Sequence, residues 1–170
     1  MTTMNEGQDT VTLSPLFGEG GGVLQSGDPL RIWGTGRPCS QVRITITDRS
    51  ADAVVGDDGA WVVQLGPLEP GGPYRLEVRV DGGDEPVIAH DVYAGEVFIC
   101  AGQSNMEYQM EFLRWRYPSE YTREPDPLLR HCKVPVRFDF HGPRRDFDEP
   151  VRWVGAAPDT LDEFTGVGYF

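Results

Sequence analysis

The stretch Gly95-Glu96-Val97-Phe98-Ile99-Cys100-Ala101-Gly102-Gln103-Ser104-Asn105-Met106 organises the chain. Val97 to Ala101 is an apolar run with the length and composition of a buried strand. Gly102 ends the run, and Ser104 and Asn105 are residues that start helices. Met106, Met110 and Phe112 or Leu113 then recur at helical spacing. The pattern predicts strand, tight turn, serine, helix. A serine so placed stands at the carboxyl end of a strand and the positive end of a helix. Both features suit a nucleophile whose reaction builds an oxyanion. The layout is analogous to a nucleophile elbow, although the sequence is not G-x-S-x-G.

Working toward the amino terminus, Val11 to Tyr93 reads as β structure. Leu30 to Gly34 is one strand. Gln41 to Thr47 alternates, with Val42, Ile44 and Ile46 on one face. Ala60 to Leu65 places Trp61, Val63 and Leu65 on one side, and Tyr74, Leu76, Val78 and Val80 alternate likewise. A last strand is expected from Pro86 to Tyr93. The clusters 56–59, 67–73 and 81–84 are turns or links between these strands. Short, half-apolar strands separated by turns predict an immunoglobulin-like β-sandwich over 11–94, preceded by a flexible lead over 1–10. Trp33 and Trp61 are its largest expected core residues; a sugar-binding aromatic platform is the sharper alternative.

After Gly95 the pattern changes to strand 97–101, then a helix from Ser104 to about Tyr117, stopped by Pro118. Residues 119–130 read as an irregular loop. Val134 to Phe140 reads as a second strand, with Val134, Val136, Phe138 and Phe140 on one face. A short helix is expected from Pro158 and another from Thr165 to Phe170. Strand and helix in alternation predict parallel strands. The fold class is therefore mixed: a β-sandwich, then the start of an α/β domain over 95–170 that the chain does not complete.

Composition narrows the function. The chain has 170 residues and a formal net charge of −12, which repels phosphate backbones and excludes nucleic acid as the expected partner. Its 21 glycines and 14 prolines argue against a helical bundle. No run approaches the roughly 20 apolar residues that span a bilayer, and the polar amino terminus is not a secretory leader. Cys39, Cys100 and Cys132 show no C-x-x-C spacing. The expected setting is cytoplasmic, with no membrane, metal or cofactor. Cys100 is expected as a small buried apolar residue. No pattern speaks to oligomeric state.

The segment Gly102-Gln103-Ser104-Asn105-Met106 resembles the sialate O-acetylesterase family of SGNH-type hydrolases. Further blocks carry the same resemblance: Leu13 to Phe17, Val23-Leu24-Gln25, Ile32-Trp33-Gly34, Gly59-Ala60-Trp61, Gly71 to Tyr74, and Phe164 to Phe170. Thr165-Gly166 stands where the family commonly has Ser-Ala. The resemblance implies an α/β hydrolase domain of the SGNH, flavodoxin-like kind. It also implies a serine esterase that removes acetyl groups from sugar hydroxyls through an acetyl-enzyme. Ser104 matches the nucleophile. The family's histidine and carboxylate are expected downstream of the segment ending at Phe170, so the chain alone is expected to be nearly inactive. Two alternatives stand beside this reading: a non-catalytic carbohydrate-binding module, and a truncated reading frame without its own function.

Each candidate residue also has a plainer role. Ser104 would otherwise be a helix cap. Gln103 orients the turn or simply faces solvent. Asn105 caps the helix or faces the pocket, and Glu107 favours the helix start. Gly166 is a second oxyanion donor or a glycine at a helix start. His90, His131 and His141 are read as surface histidines, not as the base. Arg144 and Arg145 could hold a substrate carboxylate, but a solvated charged patch is the favoured reading.

Overall fold

The computed structural model describes residues 11–18, 21–83, 85–138 and 140–170. The expected lead over 1–10 lies outside them. The strands are β1 (Thr12–Leu13), β2 (Gly22–Gln25), β3 (Leu30–Thr35), β4 (Gln41–Ile46), β5 (Arg49–Val54), β6 (Ala60–Leu65), β7 (Gly71–Val80) and β8 (Val87–Gly95). A three-stranded sheet has the order β1-β3-β6, and a five-stranded sheet the order β2-β8-β7-β4-β5. The β2–β8 pair is parallel, and the other pairs are antiparallel.

Alternation explains the core. Ile32, Trp61 and Val63 from one sheet and Val42, Ile44, Leu76 and Val78 from the other belong to one buried cluster. Side chains two apart share a face, so each strand contributes one apolar row. Gly34 is needed where β1 crosses β3: a Cβ there would lie 1.9 Å from the Thr12 carbonyl oxygen.

Three strands of these two sheets escape the sequence reading. β1 and β2 are too short to show a period. β5, Arg-Ser-Ala-Asp-Ala-Val, has little of the usual strand composition. It forms because β4 turns back through Thr47 and Asp48, which brings Arg49 opposite Ile46. Thr47 has φ 55° in that turn, so it does not continue the strand as expected. Trp33 is also corrected. It is half-buried on the face opposite Ile32, and its indole N–H donates to Asp146 at 2.8 Å.

The second region departs further. It holds α1 (Ser104–Glu107), α2 (Met110–Leu113), β9 (Asp126–Cys132), β10 (Trp153–Ala156) and α3 (Gly166–Tyr169). Val97 to Ala101 forms no strand. Phe98 and Ile99 are 83% and 90% exposed, and Cys100 is exposed instead of buried. An isolated strand leaves its backbone groups unpaired, and no strand among the described residues runs beside this one. The helix expected from Ser104 to Tyr117 breaks at Tyr108, which is extended. Its carbonyl and the Met110 amide are taken by Gly166 and Phe164 instead.

Val134 to Phe140 is likewise not a strand. Val134, Val136, Phe138 and Phe140 are exposed, while Asp139 lies outside the described residues. The strand forms earlier, at β9, which begins within the expected loop, and it pairs with β10 antiparallel instead of parallel. Met110, Val154, Ala156, Leu161 and Phe164 make a small second core. The segment 146–153 fastens this region to the sheets. Ser14 Oγ donates to Asp146 at 2.8 Å, the Val151 amide to the Pro15 carbonyl at 3.0 Å, and the Trp153 indole to the Leu16 carbonyl at 2.9 Å.

Candidate active site

Ser104 is the first residue of α1, reached by an extended segment that leaves the sheet after β8. The turn is built from backbone. The Gln103 carbonyl accepts from the Met106 and Glu107 amides at 2.7 and 3.3 Å, which makes Gln103 the cap residue. No side chain caps this helix. Ser104 and Asn105 therefore do not serve as caps, and the exposed Gln103 side chain does not orient the turn. Ser104 is exposed, and its hydroxyl makes no hydrogen bond among the described residues. A hydroxyl spared from capping is free for other chemistry.

α3 lies beside this turn. A Cβ on Gly168 would approach Cys100 Sγ to 3.3 Å. Gly166 begins α3, but its amide is engaged: it donates to the Tyr108 carbonyl at 2.8 Å. It is not a free oxyanion donor here. A Cβ there would meet Leu113 Cδ1 at 2.6 Å, which a shift of the leucine side chain can relieve.

The histidines do not meet Ser104 through a hydrogen bond. His131, on β9, is half-buried, with its ring 5.0 Å from the Phe164 ring. Burial pulls its pKa below the usual histidine value, and Glu163 opposes that only in part. His90 and His141 are exposed. Arg145 pairs with Asp58 at 2.7 Å and Arg144 with Asp148, so both serve surface ion pairs. Among the described residues no group of three or more His, Cys, Asp or Glu could hold a metal ion.

Sequence reading missed a polar cluster next to α2. Asp162 accepts from Tyr121 at 2.8 Å and from Arg114 at 2.6 Å. Burial and the Asp162 charge push the Tyr121 phenol up to about 12. Arg114 holds Asp162 below the usual carboxylate range. Nearby, a cleft of about 190 Å³ is lined by Glu120, Arg123, Asp126, Pro158 and Tyr169, and does not include Ser104.

No family model matches the chain. Curated relatives do. The sialate O-acetylesterase of Mus musculus is 33% identical over 84 residues, covering 45% of this chain and 16% of that protein. The Homo sapiens enzyme is 32% identical over the same span. The crystal structure of a carbohydrate acetylesterase from Xanthomonas citri superposes with a TM-score of 0.84 at 31% identity, over 94% of this chain.

The chain is related to the sialate O-acetylesterases.

The likeness to these esterases therefore holds in sequence over 45% of the chain and in three dimensions over 94% of it. The match spans 35% of the Xanthomonas citri chain and 16% of the mouse esterase.

Proposed function

We propose that the chain is part of a carbohydrate O-acetylesterase of the sialate type, with Ser104 as the nucleophile. The observation that carries this reading is the likeness to a carbohydrate acetylesterase along 94% of the chain, at 31% identity. The exposed Ser104 at the first position of α1, with no side-chain cap on that helix, favours the same reading.

In the proposed reaction Ser104 Oγ attacks the acetyl carbonyl and gives its proton to a base. The carbonyl oxygen becomes an oxyanion. The first amides of a helix have no intrahelical acceptor, so the Ser104 N–H is the nearest candidate donor. Collapse expels the sugar alkoxide, which takes the proton from the base. Water then releases acetate from the acetyl-enzyme by the same steps. The described residues bring no base into contact with Ser104, so the 170-residue chain is expected to turn over very slowly.

The domain reading belongs to this proposal: a sandwich over 11–94, and a portion of an SGNH-type, flavodoxin-like hydrolase domain over 95–170. The strand order β1-β3-β6 against β2-β8-β7-β4-β5, with β2 joining the second sheet parallel to β8, supports an immunoglobulin-like first unit. The three free thiols support the reducing, cytoplasmic setting.

The test is acetyl transfer from an activated acetyl ester and from an O-acetylated sialic acid. One acetyl group is expected to accumulate on Ser104, and none in Ser104→Ala, read by mass spectrometry of peptides. Enzyme-like acetate release that survives Ser104→Ala would overturn the proposal, as would acetylation at another residue only.

A further inference from the structure

β2 ends at Gln25, the last residue of the Val23-Leu24-Gln25 block. Leu24 points into the core, so the alternation turns Gln25 the other way, where it is half-buried. Gln25 pairs with Gly95, and the ladder takes one more step when the Ser26 amide donates to the Gly95 carbonyl at 2.9 Å. There β8 ends, and the sheet offers no further backbone partner to the segment leading to Ser104.

The Gln25 side chain takes over. Its Oε1 accepts from the Val97 amide at 2.9 Å, and its Nε2 donates to Glu96 Oε2 at 3.2 Å. Nε2 also reaches the carbonyl of Ser26 at 3.3 Å. One primary amide thus holds the backbone of Val97 and the side chain of Glu96, two consecutive residues. The chemistry is specific to an amide. A carboxylate keeps the acceptor but repels Glu96, and an aliphatic side chain supplies neither function.

Downstream, the next firm anchor is at Tyr108 to Met110, where Gly166 and Phe164 hold the backbone at 2.8 and 2.9 Å. Between the anchors, residues 98–103 receive little support. Their backbone bonds are the Ala101 amide to Ile99 and those made by the Gln103 carbonyl. Ser104 hangs between these two points. We infer that Gln25 is a positioning residue: its side-chain amide extends the sheet past β8 and aims the segment that delivers Ser104. The first region then acts as the rigid frame of the nucleophile. The inference rests on the proposed role of Ser104, and its test does not use activity.

The test is amide hydrogen exchange and amide resonance positions by NMR on the whole 170-residue chain. Gln25→Ala is expected to speed exchange at Val97 about tenfold, the worth of one hydrogen bond. It should also move the Ser104 and Asn105 resonances while the urea midpoint stays in place. Glu96→Ala, at an exposed position, removes only the Nε2 contact and should give a smaller shift of the same resonances. Gln25→Glu keeps the acceptor for Val97 but sets two carboxylates against each other, so it should move the Ser104 and Asn105 resonances and speed Val97 exchange less than alanine does. Combining Gln25→Glu with Glu96→Gln reverses donor and acceptor and should restore both readouts, which a general loss of stability would not allow. The inference is overturned if Ser104 stays unmoved while Val97 exchanges faster, if Val97 exchange does not change, or if the exchanged pair fails to restore them. Loss of Ser104 acetylation alone would instead remove the nucleophile reading and leave the grip of Gln25 intact.

Discussion

The two regions answer the same kind of sequence pattern differently. Between Val11 and Gly95, alternating apolar residues find partners in the same stretch, and Ile44, Leu76 and Val78 become fully buried. Beyond Gly95, the apolar runs 97–99 and 134–138 face outward, and a small cluster around Met110 and Phe164 does the holding. The difference is not hydrophobicity. A sheet residue is buried only when another strand lies beside it and another layer lies over it. The first region supplies both from its own turns. The second region relies on polar fastenings to the first, such as Asp146 beneath Ser14 and Trp33.

The strongest way to break this contrast is a pair of truncations. Ile44→Ala, in the fully buried core, is expected to destabilise the chain by about 2–5 kcal/mol. Ile99→Ala, also apolar but 90% exposed, is expected to stay within about 0.5 kcal/mol of the parent. Urea unfolding measures both. Equal effects would mean that the 97–101 run is buried in solution.

A middle effect is expected at the fastening. Asp146→Ala removes the acceptor of the Ser14 hydroxyl and the Trp33 indole, at a cost of about 1–3 kcal/mol. The loss should be local, with proteolysis after Arg144 and Arg145 accelerated and the Ile44 core unchanged. If cleavage there does not quicken, the segment 146–153 is held by other contacts.

The smallest effect concerns pH. The His131 pKa is lowered in the folded chain by burial, so its contribution is fully present above the unfolded value, about 6.5. It is lost as pH falls through the lower folded value. The second region should therefore loosen before the first as pH falls below about 6.5. His131→Gln should flatten that limb, read from indole fluorescence at Trp153. An acid response unchanged by the substitution would assign it to carboxylates such as Asp162.

The legible parts of the fold were those with a period. β3, β4, β6, β7 and β8 were all expected, β6 with the same bounds, and for β4, β6 and β7 the reason is that six or more alternating residues carry their own register. β5 was not, because a hairpin turn at Thr47 recruits it and not its composition. At the site, the turn before Ser104 was legible from Gly102 and the polar residues after it. The break at Tyr108 was not, since it arises from bonds to Phe164 and Gly166, more than fifty residues away in sequence. The capping role of the Gln103 carbonyl and the engaged amide of Gly166 were hidden for the same reason: backbone partners leave no mark in side-chain identity.

By itself, then, the sequence determined two things. It determined the alternating strands of the first region, because strand period is a local property. It also determined the likeness to the sialate O-acetylesterases, which the relatives support for the chain. Only the tertiary structure decided that Val97 to Ala101 stands outside any sheet, that Trp33 faces Asp146 instead of the core, and that the amide of Gln25 grips the segment leading to Ser104. Each of these depends on which distant backbone or side chain arrives alongside, and burial and hydrogen bonding act only between groups that have been brought together.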